Sequence, residues 1–176
     1  ASRNSESAPL FANKLGEVRV EQGRDAEAVP LFERAITLDD GFALPHFNLG
    51  VLHEKRGEGH PAIEQYRRAL ELAPGFFRAQ FNLGRLYASM GDVERARQLW
   101  EAFLESNPGS VQGRYFLAKL LMDTGGDLVR AESMVLEADA RSDRLGFEAP
   151  AIPIARGMLH LHRGELDVAA TAELRR

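Results

Sequence analysis

Five histidines are the side chains of this sequence best suited to bind a metal or move a proton, but their spacing assembles no obvious site. His46 and His53 stand seven residues apart, on one face of a helix, while His160 and His162 point to different sides of one and make a poor pair of ligands. Cysteine is absent, which excludes thiolate nucleophiles, disulfides and sulfur-ligated zinc or iron–sulfur centres. No phosphate loop, nucleophile elbow, HExxH or dinucleotide fingerprint occurs, and the carboxylates fall on solvated helix faces. The expectation is a chain with no metal, no cofactor and no intrinsic active site, and so not an enzyme.

Recognition chemistry is spaced more regularly. Asn48 and Asn82 stand 34 residues apart. A side-chain amide both donates and accepts, so such a rung can bond the backbone of an extended peptide whatever its side chains are. Each bond contributes only about 1 kcal/mol net.

The same offset of 34 governs the elements that would carry these amides. Leu49-Gly50 aligns with Leu83-Gly84, Gly57 with Gly91, Ala62 with Ala96 and Pro74 with Pro108. Backwards, the frame takes in Leu15-Gly16, Gly23, Ala28, Phe32 and Ala35; forwards, it takes in Leu117-Ala118, Gly125 and, after one inserted residue, Ala131 and Ala138. Repeats therefore span 9–42, 43–76, 77–110 and 111–145, with an incomplete fifth over 150–176. Within 77–90 and again within 94–106 the apolar residues recur at helical spacing, so each repeat reads as two amphipathic helices.

This pattern resembles the tetratricopeptide repeat family, whose signature runs W-x2-L-G-x2-Y, then A-x3-F, then A and P, over 34 residues. The third repeat lies nearest to it, with Leu83-Gly84-x-x-Tyr87, Ala96-x-x-x-Trp100 and Pro108. The resemblance covers 9–176 and implies an all-α fold: a right-handed α-solenoid of antiparallel helix pairs, about five repeats with the last incomplete, in one domain behind a disordered polar lead over residues 1–8. It also implies a protein-interaction scaffold. His46 and His53 occupy places where the family usually has Trp and Tyr packed between the helices of a pair, which makes them expected core residues.

Each position has a physical reason. Gly50, Gly84, Ala118 and Gly157 allow the first helix to approach the second, and Ala62, Ala96, Ala131 and Ala169 are the expected small residues facing them. Gly23, Gly57, Gly91, Gly125 and Gly164 end the first helices, where a left-handed backbone suits glycine. Asp92 and Asp127 are expected N-caps of the second helices, and Pro74 and Pro108 close them. Pro30 is expected to kink its helix mildly. Phe103 stands where residues 35, 69 and 138 are alanine, which should widen the packing between the third and fourth repeats.

If first helices line the inner face, the second, fifth, sixth, ninth, twelfth and thirteenth residues of each repeat point inward. In the second repeat these are Leu44, Phe47, Asn48, Val51, Glu54 and Lys55, and in the third Arg78, Phe81, Asn82, Arg85, Ala88 and Ser89. In the fourth they are Gln112, Tyr115, Phe116, Lys119, Met122 and Asp123. The expected peptide-binding set is Phe47, Asn48, Arg78, Phe81, Asn82, Arg85, Tyr115, Phe116 and Lys119, with Arg78, Arg85 and Lys119 able to attract acidic groups. Asn48 and Asn82 resemble the inner asparagine ladder of long members of the family. The family's carboxylate clamp asks for Lys, Asn, Asn, Lys and Arg where this chain has Asn13, Glu17, Asn48, Arg78 and Asn82, and Glu17 would repel an incoming carboxylate.

The partner expected is thus a protein or peptide. A net charge of −4 and the lack of a long basic run argue against nucleic acid, and no apolar stretch reaches the about 18 residues that span a bilayer. Two alternatives stand beside a scaffold: a regulatory or substrate-recruiting segment of a larger enzyme, and self-association through Val168, Ala169, Ala172 and Leu174 at the C-terminal end. Lack of cysteine favours a cytoplasmic setting and leaves a periplasmic one open.

Overall fold

In a computed structural model the backbone is described for residues 2–145, and all regular structure within them is helical. The helices are α1 (Ser2–Glu21), α2 (Asp25–Leu38), α3 (Ala43–Lys55), α4 (Gly59–Leu72), α5 (Phe77–Ser89), α6 (Val93–Ser106), α7 (Val111–Asp123) and α8 (Leu128–Leu145). Within the units α1 pairs with α2, α3 with α4 and α7 with α8, in the order of the 34-residue frame, as in the all-α helical-repeat, or solenoid, class. Helix α1 starts at Ser2, so most of the lead expected to be disordered is helical: no residue between Ser2 and Ala8 breaks a helix that packing over 9–21 has already nucleated. His160, His162, Gly157, Gly164 and the C-terminal self-association residues lie outside the described residues. The chain divides into two compact units, residues 1–86 and 87–176, each described here by itself.

Turns between paired helices follow from glycine. Gly23, Gly57, Gly91 and Gly125 have φ between 65° and 82°, a region that costs an L-residue roughly 1–2 kcal/mol. Second helices start as expected: Asp92 accepts from the backbone N–H of Arg95, and Asp127 accepts from that of Arg130 at 2.9 Å. Pro30 sits inside α2 on its exposed side, and the helix runs through it.

The residues facing the first-helix glycines differ from expectation. Alanines 28, 62, 96 and 131 are fully buried, but a Cβ on Gly50 would lie 2.7 Å from the Tyr66 ring, and one on Gly16 would lie 2.5 Å from the Phe32 ring. Glycine therefore receives an aromatic ring from the second helix and not another small residue, because a flat ring fills the narrow space that the missing side chain leaves. The equivalent positions Trp100 and Val135 are also buried. In the N-terminal unit Phe32 and Ala28 join Leu49 and Leu52 of the next repeat in one core, with Val20, Val29 and Ile36 around them.

In the C-terminal unit the bulk of Phe103 is met in the same way. Its ring is buried, and a Cβ on Gly113 would come within 2.8 Å of it. The position of Gly113 holds Pro45 and Ala79 in earlier repeats, so a large residue on α6 is matched by the loss of a side chain on α7.

Gly50→Ala should cost about 1–3 kcal/mol, since the Tyr66 ring is wedged and cannot yield cheaply. Gly113→Ala should cost a similar about 1–3 kcal/mol, and less once Phe103→Ala has emptied the space. Urea unfolding of the four variants of that cycle measures the coupling, and strictly additive losses would contradict the matched-volume reading.

Candidate functional site

The first helices of the N-terminal unit build a polar face from positions set by the repeat. Asn13 on α1 is completely buried, which a side-chain amide tolerates only with partners. Its Nδ2 donates to Glu17 Oε1 at 2.9 Å, and its Oδ1 accepts from Asn48 Nδ2 of α3 at 3.0 Å. Asn48 Nδ2 also approaches Glu17 Oε1 at 3.4 Å, and Lys14 pairs with Glu17 Oε2 at 2.7 Å. Burial opposes the charge on Glu17, but the hydrogen bonds from Lys14, Asn13 and Asn48 outweigh it and hold the carboxyl below its ordinary value of 4.5.

A second network follows one repeat later. The Tyr66 hydroxyl, carried by the ring that packs on Gly50, donates to Glu54 Oε2 at 2.9 Å, and Arg85 binds Glu54 Oε1 at 2.6 Å. Asn82 Nδ2 makes a long 3.5 Å contact to the same hydroxyl. Burial and the Glu54 charge push the Tyr66 phenol well above its ordinary range, so it stays protonated as the donor.

Arg78 is different. Its guanidinium stacks 4.8 Å from the centroid of the buried Phe47 ring and 5.8 Å from that of Phe76, and the two rings themselves lie 4.9 Å apart. Among the described residues no carboxylate pairs with Arg78, so its donors point outward from an aromatic seat. Together α1, α3 and α5 enclose a cavity of about 460 Å³. Its walls combine the charged or polar Lys14, Glu17, Glu21, Asn48 and Arg78 with apolar residues such as Leu44 and Val51.

The expected site residues thus divide. Asn48 and Arg78 line this cavity, and Phe47 joins them only as the ring beneath Arg78. Asn82 and Arg85 belong to the Tyr66–Glu54 network, and Phe81 is half-buried. In the C-terminal unit Tyr115 and Phe116 meet edge to face at 5.2 Å, and Phe116 lies 5.5 Å from the Trp100 ring. Lys119 is held by Asp123 one turn away. Of the three cations expected to attract acidic groups, two are therefore neutralised within the chain. Lys55, placed on the inward face by counting, is exposed and pairs with Asp25 of the preceding helix pair. His46 is buried and bonded to Gln65 at 2.8 Å as a core residue would be, whereas His53 is half-buried and pairs with Glu58 across the α3–α4 turn.

Counting along the sequence missed the part played by Lys14 and Glu17 in the cavity, and by Tyr66 on its own face. The signal was present: both α1 residues occupy inward positions of the first repeat, and Tyr66 puts a hydroxyl where Phe32 has none.

Comparison with known proteins agrees with this architecture. The tetratricopeptide repeat model matches residues 13–75, 47–99 and 81–144. A crystal structure of MamA superposes with a TM-score of 0.73 at 21% identity, covering 82% of this chain and 84% of that one. A MamA structure from Desulfovibrio magneticus RS-1 gives 0.79 at 16% identity, with 96% and 92% covered. A tetratricopeptide repeat protein from Parabacteroides merdae gives 0.80 at 18% identity, with 92% of this chain and 62% of that one. At these identities the likeness concerns the fold alone. No curated protein sequence matches the chain.

Because the Glu17 carboxyl binds its proton less readily when folded, the network stabilises the chain above about pH 4.5 and loses that contribution as pH falls through the depressed value. Glu17→Gln should flatten this part of the stability profile, measured as urea midpoints from neutral pH downward. Asn48→Ala should itself cost about 1–3 kcal/mol, because buried Asn13 loses a donor.

Proposed function

Because this chain belongs to the tetratricopeptide repeat family, a family of protein-interaction scaffolds, we propose that it acts by binding, holding a peptide or an exposed segment of a partner protein against its first helices. The observation that carries this reading is the cavity of about 460 Å³ between α1, α3 and α5, where Glu17 and Glu21 also line the wall but Arg78, seated on Phe47, forms no ion pair among the described residues.

The chemistry of the cavity suits a short segment with one apolar and one acidic side chain. Leu44 and Val51 offer apolar surface, and each CH₂ buried there contributes about 0.8 kcal/mol. Arg78 is held by stacking on Phe47, which leaves its planar fork available for a carboxylate and limits the entropy lost on binding. Asn48 serves chiefly to shape the wall, since its amide nitrogen is already spent on Asn13 and Glu17. Phe81, Asn82 and Arg85 extend the same face along α5, and Tyr115, Phe116 and Lys119 form a separate aromatic and basic cluster on α7.

Selecting a displayed random-peptide library on the intact chain, then measuring the selected peptides by calorimetry, tests this. Arg78→Glu should weaken them by at least about tenfold, the loss of one charge-assisted bond plus repulsion, with no change in thermal stability beyond the stacking contribution. Affinity unchanged in both Arg78→Glu and Leu44→Asp would mean that partners bind elsewhere.

A further inference from the structure

Most charges on the first helices of the N-terminal unit are settled within the chain. On α1, Lys14 pairs with Glu17 at 2.7 Å and Arg19 with Glu27 at 3.4 Å. On α3, His53 meets Glu58 and Lys55 turns to Asp25, while Glu54 binds Arg85 of α5 at 2.6 Å. Among the described side chains of these helices, the acidic and basic residues left without an ion pair are Glu21 and Arg78, and both line the same cavity. A lone exposed charge is ordinary, because water solvates it well. Two of opposite sign that share a cavity and do not meet give its wall two separate poles. Glu21 is the last residue of α1, where the helix macrodipole disfavours a carboxylate, and Arg78 is the second residue of α5. Lys14, the cation whose field reaches Glu21, is already held by Glu17. Short turns fold each helix back on the one before, so successive first helices run the same way. In the repeat frame Glu21 holds the thirteenth place and Arg78 the second. That difference separates them by about 16 Å along the helix direction, before the step from α1 across α3 to α5 is added. From the level of Arg78 to that of Glu21 run Leu44, Asn48, Val51 and Val20, at the second, sixth, ninth and twelfth places.

We propose that the segment this cavity holds is extended and bipolar, with an acidic side chain on Arg78, a lysine or arginine at Glu21, and apolar side chains between them over Leu44, Val51 and Val20. The inference rests on the reading that the cavity takes a peptide, and it adds which charges that peptide carries and how they are spaced. Arg78, stacked on Phe47, presents its planar fork to a carboxylate. A cation at Glu21 meets the carboxylate and the negative end of α1 together, so the two attractions add. An extended chain advances about 3.3 Å per residue, which sets the two charges about five residues apart. A helical segment, rising about 1.5 Å per residue, would need a separation of about 11. A peptide of one sign brings like charge to one of the poles, so the cavity selects for mixed charge as well as for spacing.

A displayed random-peptide library selected on the intact chain reads this directly. Recovered sequences should carry an acidic and a basic residue about five apart, with apolar residues between them. In calorimetry at low ionic strength, Glu21→Lys should weaken such a peptide about fivefold, and should have no effect once the peptide's basic residue is replaced by glutamine. Arg78→Glu should weaken both forms of the peptide. Selection repeated on the Glu21→Lys chain should exchange the basic residue for an acidic one at the same spacing. Glu21 is exposed and a lysine suits a helix C-terminus, so this variant should keep its melting temperature, and lost binding is then not lost fold. Peptides weakened by Arg78→Glu but indifferent to Glu21→Lys would overturn the bipolar assignment and leave peptide binding at the cavity standing. Opposite charges recovered at no fixed spacing, or about 11 apart, would do the same. Indifference to both variants, or a library that enriches nothing, would overturn both.

Discussion

The fit of an aromatic ring from each second helix onto a glycine of the first, shown by Phe32 on Gly16 and Tyr66 on Gly50, is the contact from which the rest of the N-terminal unit follows. A Cβ at either glycine would stand inside the ring's van der Waals envelope, so the helix separation depends on its absence. That separation lets Ala28 and Ala62 disappear into the pair and lets the Tyr66 ring reach past Gly50 to Glu54 on the same first helix. At Tyr66 the edge carries a hydroxyl, and through it the core of a helix pair reaches Glu54, Asn82 and Arg85. Core packing and the polar face are one construction there.

That construction decides which polar groups remain available to a partner. Asn13 is buried and needs both of its neighbours, Glu17 and Asn48, so the first-helix face is internally bonded before any ligand arrives. The same holds for Arg85 and Lys119, whose charges are balanced by Glu54 and Asp123. Arg78 escapes because its neighbours are aromatic: rings hold the guanidinium in place without satisfying its N–H donors. Rigid placement and unmet hydrogen-bonding capacity occur together in that one side chain, which is the combination a recognition residue needs.

Repetition makes such differences readable. Because the frame assigns equivalent residues, an exception at one site can be compared with its counterparts and traced to a local cause. Phe103 departs from alanine and Gly113 departs in the opposite sense, so volume moves from one helix to the next without being lost.

The 34-residue period, the helix pairs, the left-handed glycines and the aspartate caps were legible in the amino-acid order, since each depends on neighbours within a few residues or on a spacing that sequence preserves. Helical periodicity also places Leu44, Asn48 and Val51 on one side of α3. What the sequence by itself determined was therefore the architecture and which residues each helix carries on one side. Only the tertiary structure decided which of them are spent. Whether Asn48 meets a peptide or Asn13, whether Arg85 is free or bound to Glu54, and whether a glycine faces alanine or an aromatic ring all depend on distances across helices 12 or more residues apart in sequence. Hydrogen bonds and ion pairs form over about 3 Å, a scale that residue spacing does not resolve.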